Sequence, residues 1–127
     1  MKNEIIIFEN QGVRLEVNMN EDTVWLNQAQ MAKLFDKDRT VITKHINNIF
    51  KSGELVKEEV SANFAHTTKH GSIPNKTQTK EVVYYNLDMI ISIGYRVNSK
   101  KGITFRRWAT SVLKDHLLKG YSINQKD

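Results

Sequence analysis

The residues with most chemical promise lie between Gln28 and Lys51. In Arg39–Lys51, Ile42, Ile46 and Ile49 recur at i, i+4 and i+7, and Val41 and Phe50 widen the apolar side. That period predicts an amphipathic helix. With the isoleucines turned inward, Thr40, Thr43, Lys44, Asn47 and Lys51 face outward. Asparagine can pair bidentately with adenine, and threonine can touch a base edge or a thymine methyl. Lys37, Arg39, Lys44 and Lys51 have the reach and charge for phosphates. The free N–H groups of a first helical turn would add to that attraction. This is the chemistry of recognition rather than of bond breaking.

Gln28–Phe35 supplies a shorter helix ahead of it, with Ala32 small enough for a close crossing and Leu34 and Phe35 apolar. The polar break Asp36–Arg39 joins the two. The spacing predicts a helix-turn-helix whose second helix, about 39–51, enters a major groove. An ordinary helical hairpin with a solvated outer face fits the same residues. Asp36 stands where many such turns carry glycine, and Asp36 and Asp38 put two acids near the proposed contact face.

Two further basic groups lie outside this segment. Thr67–Lys80 is very polar, holds the only proline, and carries Lys69, His70, Lys76 and Lys80. It reads either as a surface loop or as a hairpin tip, with arms near Ala62–Thr67 and Lys80–Tyr85. A hairpin there would be a wing lying along phosphates. Lys100, Lys101, Arg106 and Arg107 form a second cluster, which is either a phosphate contact or a solvated helix face.

Catalytic chemistry finds little to use. His45, His66, His70 and His116 show no metal-ligand spacing. No nucleophile elbow, glycine-rich phosphate loop or paired acid stands in an apolar setting. There are no cysteines, which removes disulfides, thiolate metal sites and thiol nucleophiles. His116 falls on an apolar stripe and reads as a partly buried histidine. Trp25 and Trp108 read as core residues. No enzyme activity, cofactor or metal is expected.

The elements that would position these groups follow from the pattern. Glu4–Phe8 and Val13–Val17 read as strands joined through Asn10–Gly12, and Thr23–Leu26 as a third. Asn27 stands at an N-cap before Gln28–Phe35, Asp38 at one before Arg39, and Gly53 suits the residue past a helix end. Glu54–Val60 is charged, with room for a helical turn. Asn86 caps the apolar helix Leu87–Tyr95. Asn98–Gly102 reads as a basic turn, and the last helix as about Thr104–Leu118, stopped by Gly120.

The composition agrees. The 127 residues carry 19 Lys+Arg against 14 Asp+Glu, a net charge of +5. Residues 1–26 hold two bases and five acids, a net −3, and residues 27–127 hold 17 bases and nine acids, a net +8. A basic remainder favours a polyanionic partner such as double-stranded DNA. No apolar run approaches 18 residues, so no membrane helix is expected. Met1–Phe8 is too short and too acidic for a signal peptide, and a cytoplasmic location is expected. The reading is a single α+β domain over residues 1–127. It comprises a small N-terminal β-hairpin joined by the later hairpin, a helix-turn-helix or winged-helix-like unit, and two C-terminal apolar helices. A homodimer would suit palindromic DNA.

The run Tyr85-Asn-Leu-Asp-Met-Ile-Ile-Ser-Ile-Gly-Tyr-Arg-Val-Asn-Ser99 resembles the RhuM family of bacterial proteins. Gly102, Phe105-Arg106, Trp108-Ala109-Thr110 and Lys119-Gly-Tyr121 continue the likeness. Val24–Gln28, Met31-Ala32, Leu34-Phe35 and Thr43–Ile46 are also similar to that family. The resemblance implies a virulence-associated protein, so labelled from genomic context, and a DNA-binding role with no catalytic residues to carry over. Family members are generally longer, and the segment also occurs ahead of Fic-type domains. That implies an N-terminal part of a longer protein. The two apolar helices after Asn86 then permit the alternative of a regulatory module that docks a downstream effector domain.

Overall fold

The computed structural model describes the backbone of residues 4–20, 22–69 and 77–125, and the side chains of 4–20, 22–65 and 80–118. The chain is α+β. Five strands, β1 (Glu4–Asn10), β2 (Val13–Asn20), β3 (Thr23–Asn27), β4 (Ser61–Lys69) and β5 (Thr77–Asn86), form one antiparallel sheet in the order β1-β2-β3-β5-β4. Helices α1 (Gln28–Phe35), α2 (Arg39–Lys51) and α3 (Lys57–Val60) stand between β3 and β4. Helices α4 (Leu87–Arg96) and α5 (Lys101–Gln125) follow β5.

The sheet is splayed. β2 pairs with β3 only over Asn18–Asn20, and β5 pairs with β3 only over Tyr84–Asn86. The β1–β2 hairpin and the β4–β5 hairpin therefore each extend past the point where the sheet joins. α1 closes the gap beside β2: Gln30 Nε2 and Lys33 Nζ donate to the carbonyls of Glu16 and Arg14 at 2.7 and 2.9 Å. Those carbonyls face away from β1, so without α1 they would lack partners within the sheet.

The core lies on one face, where alternate residues of each strand point. Phe8, Leu15, Val17, Met19, Val24, Leu26 and Tyr85 meet Met31, Leu34, Phe35, Ile42, Ile46, Ile49, Ile90, Ile93 and Phe105 there. Phe8 is held edge-on by Phe105 and Trp108, with ring centroids 5.2 and 5.1 Å away. On the opposite face Trp25, Phe64 and Tyr84 form a separate aromatic cluster, with centroids 5.4 and 5.2 Å apart in succession.

Several expectations need correction. All five strands run longer than the apolar runs that mark them, because backbone pairing continues into polar residues such as Asn20 and Lys69. α5 begins at Lys101, not Thr104: the Ser99 hydroxyl accepts the Lys101 N–H at 3.2 Å and starts the helix early. Lys101 and Gly102 are therefore helical rather than part of a turn. Gly120 does not stop α5, which continues to Gln125. A single glycine costs a helix about 1 kcal/mol and does not end it alone. His116 is exposed rather than partly buried, with Nδ1 3.8 Å from Glu4 Oε1. The hairpin tip, including His70 and Lys76, lies outside the described residues.

Candidate nucleic-acid interface

The positioning of α2 begins at Asn27. Its Oδ1 accepts the Gln30 N–H, and Gln30 Oε1 accepts the Asn27 N–H, both at 2.9 Å. This reciprocal pair starts α1 sharply where β3 ends. α1 ends on Asp36, whose backbone is left-handed at φ 54° and ψ 51°. The Lys37 N–H reaches back to the Ala32 carbonyl at 3.0 Å. α2 and α4 end in the same way. Gly53 and Asn98 have positive φ, and Glu54 N–H and Ser99 N–H bond to Ile49 and Gly94 carbonyls. Aspartate and asparagine tolerate this conformation better than other non-glycine residues. Asp36 thus takes the role that glycine fills in many such turns.

α2 is then fixed from two sides. Ile42, Ile46 and Ile49 are fully buried. The Thr43 hydroxyl lies 3.0 Å from both Gln28 Oε1 and the Arg39 carbonyl. Thr43 is half-buried and its hydrogen is engaged, so its hydroxyl holds α2 to α1 rather than standing free. Asp38 is at the N-cap position, but its side chain makes no capping bond. The expected side-chain cap is absent, and the first turn closes on the Asp38 carbonyl alone, which accepts from Val41 and Ile42.

Thr40, Lys44, Asn47 and Lys51 are exposed on α2 and fall on one stripe at i, i+4, i+7 and i+11. Lys37 and Arg39 are exposed at its head. Asn48, four residues after Lys44, is exposed beside the stripe and belongs to the same surface. Sequence reading passed it over, although the i+4 spacing was available. α2 contains no acid. His45 is half-buried beside this surface. Burial, then the charges of Arg96 and Lys44, lower its pKa, so the imidazole favours its neutral form. Glu54, just past α2, accepts from Arg96 at 3.0 Å, and hydrogen bonds from Arg96 and Ser92 hold its carboxyl below the usual range.

The other basic residues are placed less uniformly. Phe35, the last residue of α1, packs against Gly94 and Gly102 at the α4–α5 crossing, near the start of α5. Lys100 is exposed just before α5 and Lys101 is half-buried at its first residue. Lys100 and Arg106 border an open groove of about 500 Å³ between α4 and α5, lined by Ile91, Tyr95 and Ile103. Arg107 is exposed on the same helix. Lys80 is exposed on β5. Lys69 ends β4 opposite Thr77, and its side chain lies outside the description. Among the described residues no group of His, Asp and Glu is arranged to hold a metal ion, and no helix is long and apolar enough to cross a membrane.

Comparison with known families finds one match. The model described as virulence protein RhuM family covers residues 59–127, more than half of the chain. The matched stretch includes β4, β5, α4 and α5, and begins after α1 and α2. No curated protein and no solved structure matches the chain.

Proposed function

We propose a function for a chain that belongs to the virulence protein RhuM family: it binds double-stranded DNA, with α2 laid in the major groove. The observation that carries this reading is the exposed Thr40–Lys44–Asn47–Lys51 stripe on an acid-free helix whose opposite face is buried through three isoleucines. Asn47 and Lys44 have the donors and acceptors to read base edges, and the Thr40 hydroxyl can do the same. Lys37, Arg39 and Lys51 supply phosphate contacts that set the register.

The chain path supports a winged-helix version of this reading. β3 leads into α1 and α2, the chain returns through β4 and β5, and β5 pairs beside β3. The β4–β5 hairpin would then lie along the backbone next to α2, with Lys80 as its described cation. Lys100, Lys101, Arg106 and Arg107 would extend the positive field rather than touch bases. The role is binding, with no cofactor and no catalytic step, and a cytoplasmic protein suits it.

Fluorescence anisotropy with a labelled random-sequence duplex tests the proposal at two salt concentrations. Affinity should fall steeply as salt rises, because each neutralised phosphate releases counterions. Lys44→Glu with Lys51→Glu should abolish binding while the circular dichroism spectrum is kept. Salt-independent binding, no binding at low salt, or full binding by the charge-reversed variant would each remove this reading. The last outcome would favour the alternative of an effector-docking module.

A further inference from the structure

The sheet has two edge strands, β1 and β4. β1 keeps its charges, Glu4 and Glu9, near its ends and leaves its centre, Ile5 to Phe8, uncharged. Glu4–Asn10 contains no proline and no lysine, and its register with β2 runs from Glu4–Met19 to Asn10–Val13 without a bulge. Its outer row instead presents Ile5 and Ile7, which are 53% and 39% exposed.

The direction of its backbone groups follows from the turn. Gln11 and Gly12 both have positive φ, 47° and 83°, which marks a two-residue hairpin turn of the primed type. Asn10 and Val13 close that turn and exchange both of their hydrogen bonds. By alternation Phe8, Ile6 and Glu4 also point their backbone groups at β2, while those of Ile5, Ile7 and Glu9 point off the edge. β2 shows the same parity, since the Arg14 and Glu16 carbonyls turn away from β1 and accept from Lys33 and Gln30.

We infer that β1 pairs antiparallel with β1 of a second copy of this chain, about a two-fold axis through Ile7. Strand self-pairing needs the outward-pointing residues of both copies in phase. The register centred on Ile7 meets that need and is the one that overlaps all seven residues. It sets Ile7 against Ile7, Ile5 against Glu9, Ile6 against Phe8 and Glu4 against Asn10. No like charges stand opposite each other, and Glu9 keeps Arg14 as its cross-strand neighbour within its own copy. The pairing sets the two exposed Ile7 side chains side by side and joins the two sheets into one of ten strands. α5 brings apolar surface to the same edge: His116 lies 3.8 Å from Glu4, and Leu117 and Leu118 beside it are 71% and 55% exposed. A two-fold dimer is an isologous assembly, so it closes and does not grow into a filament.

The absence of cysteine makes the test clean. Each variant carries one introduced thiol, is oxidised with diamide, and is run on a non-reducing gel without DNA. Ile7→Cys should form a covalent dimer, because directly opposed residues in such a ladder have Cα atoms about 5.5 Å apart, within disulfide range. Glu9→Cys alone should not, because its partner position is residue 5 and the two thiols would be separated by about 13 Å along the strands. Mixing Ile5→Cys protein with Glu9→Cys protein should restore the crosslink. In sedimentation velocity, Ile7→Lys should halve the mass found for the unaltered chain. A monomeric unaltered chain, a dimeric Ile7→Lys variant, or crosslinking by Glu9→Cys alone as strong as by Ile7→Cys would overturn the inference. None of these readouts depends on DNA binding, so the two proposals can fail separately.

Discussion

The Thr43 hydroxyl lies 3.0 Å from Gln28 Oε1, joining the second turn of α2 to the first residue of α1 across fifteen positions of sequence. The contact adds to the buried isoleucines Ile42, Ile46 and Ile49 in joining α2 to the rest of the fold. Thr43→Val keeps the shape and removes the hydroxyl, so stability should fall by about 1 kcal/mol in chemical denaturation. Thr43→Ser should restore most of it. Lys44→Ala and Lys51→Ala should leave stability within about 0.5 kcal/mol, as exposed positions do, while weakening duplex binding. If Thr43→Val matches the unaltered chain in stability, the link carries no weight.

Asp36 holds a left-handed backbone that glycine adopts without steric cost. Asp36→Gly should stabilise the fold by up to about 1 kcal/mol, or about 5 °C in Tm. It also removes a carboxylate beside Lys37 and Arg39, so affinity for duplex should rise at low salt. Asp36→Val should lower Tm, since a β-branched residue is strained there. Differential scanning calorimetry of the two variants decides it.

A methyl group on Gly94 would stand 3.2 Å from the Phe35 ring and 3.3 Å from the Gly102 backbone. Overpacking costs about 1–3 kcal/mol, against about 1 kcal/mol that alanine gains over glycine in a helix. Gly94→Ala should therefore destabilise the protein. Gly102→Ala, whose nearest neighbours stand at 3.4 Å, should come closer to neutral. Urea unfolding of both variants tests the order, and a more stable Gly94→Ala would refute the crossing as tight.

His45 has its pKa lowered by burial and by the charges of Arg96 and Lys44. Between that lowered value and the unfolded value of about 6.5, the unfolded chain binds more protons than the folded one. Stability should therefore fall as pH drops below about 6.5. Glu54 acts in a separate, lower window: its depressed pKa gives stability above the ordinary carboxylate range, lost as pH falls through the folded value. His45→Gln should flatten the Tm profile between pH 7 and 5.5 and leave the lower step in place. An unchanged profile would exclude His45 as its source.

Much of the region around α2 was legible without coordinates. α1 and α2 have the bounds that Asn27, the isoleucine spacing and Gly53 imply, because a cap, an amphipathic period and a helix stop are all short-range signals. Thr43 was legible as an outward position but not as an engaged one, since its partner Gln28 lies a helix away. The start of α5 was misread because Gly102 looked like turn chemistry. Its actual reason is spatial: the residue must lack a side chain where α4 and Phe35 pass.

The sequence alone determined the α+β class, the family, the caps at Asn27 and Asn86, and the division into an acidic first quarter and a basic remainder. Each is written in neighbouring residues or in composition. Tertiary structure decided that β5 rather than β4 lies beside β3, that α1 fills the gap along β2, and that β1 is left at an edge with Ile5 and Ile7 exposed. Those outcomes depend on backbone groups finding partners across long separations, such as Trp25 with Asn86. Alternation along a strand tells which face a side chain takes, but carries no record of which strand will satisfy its hydrogen bonds.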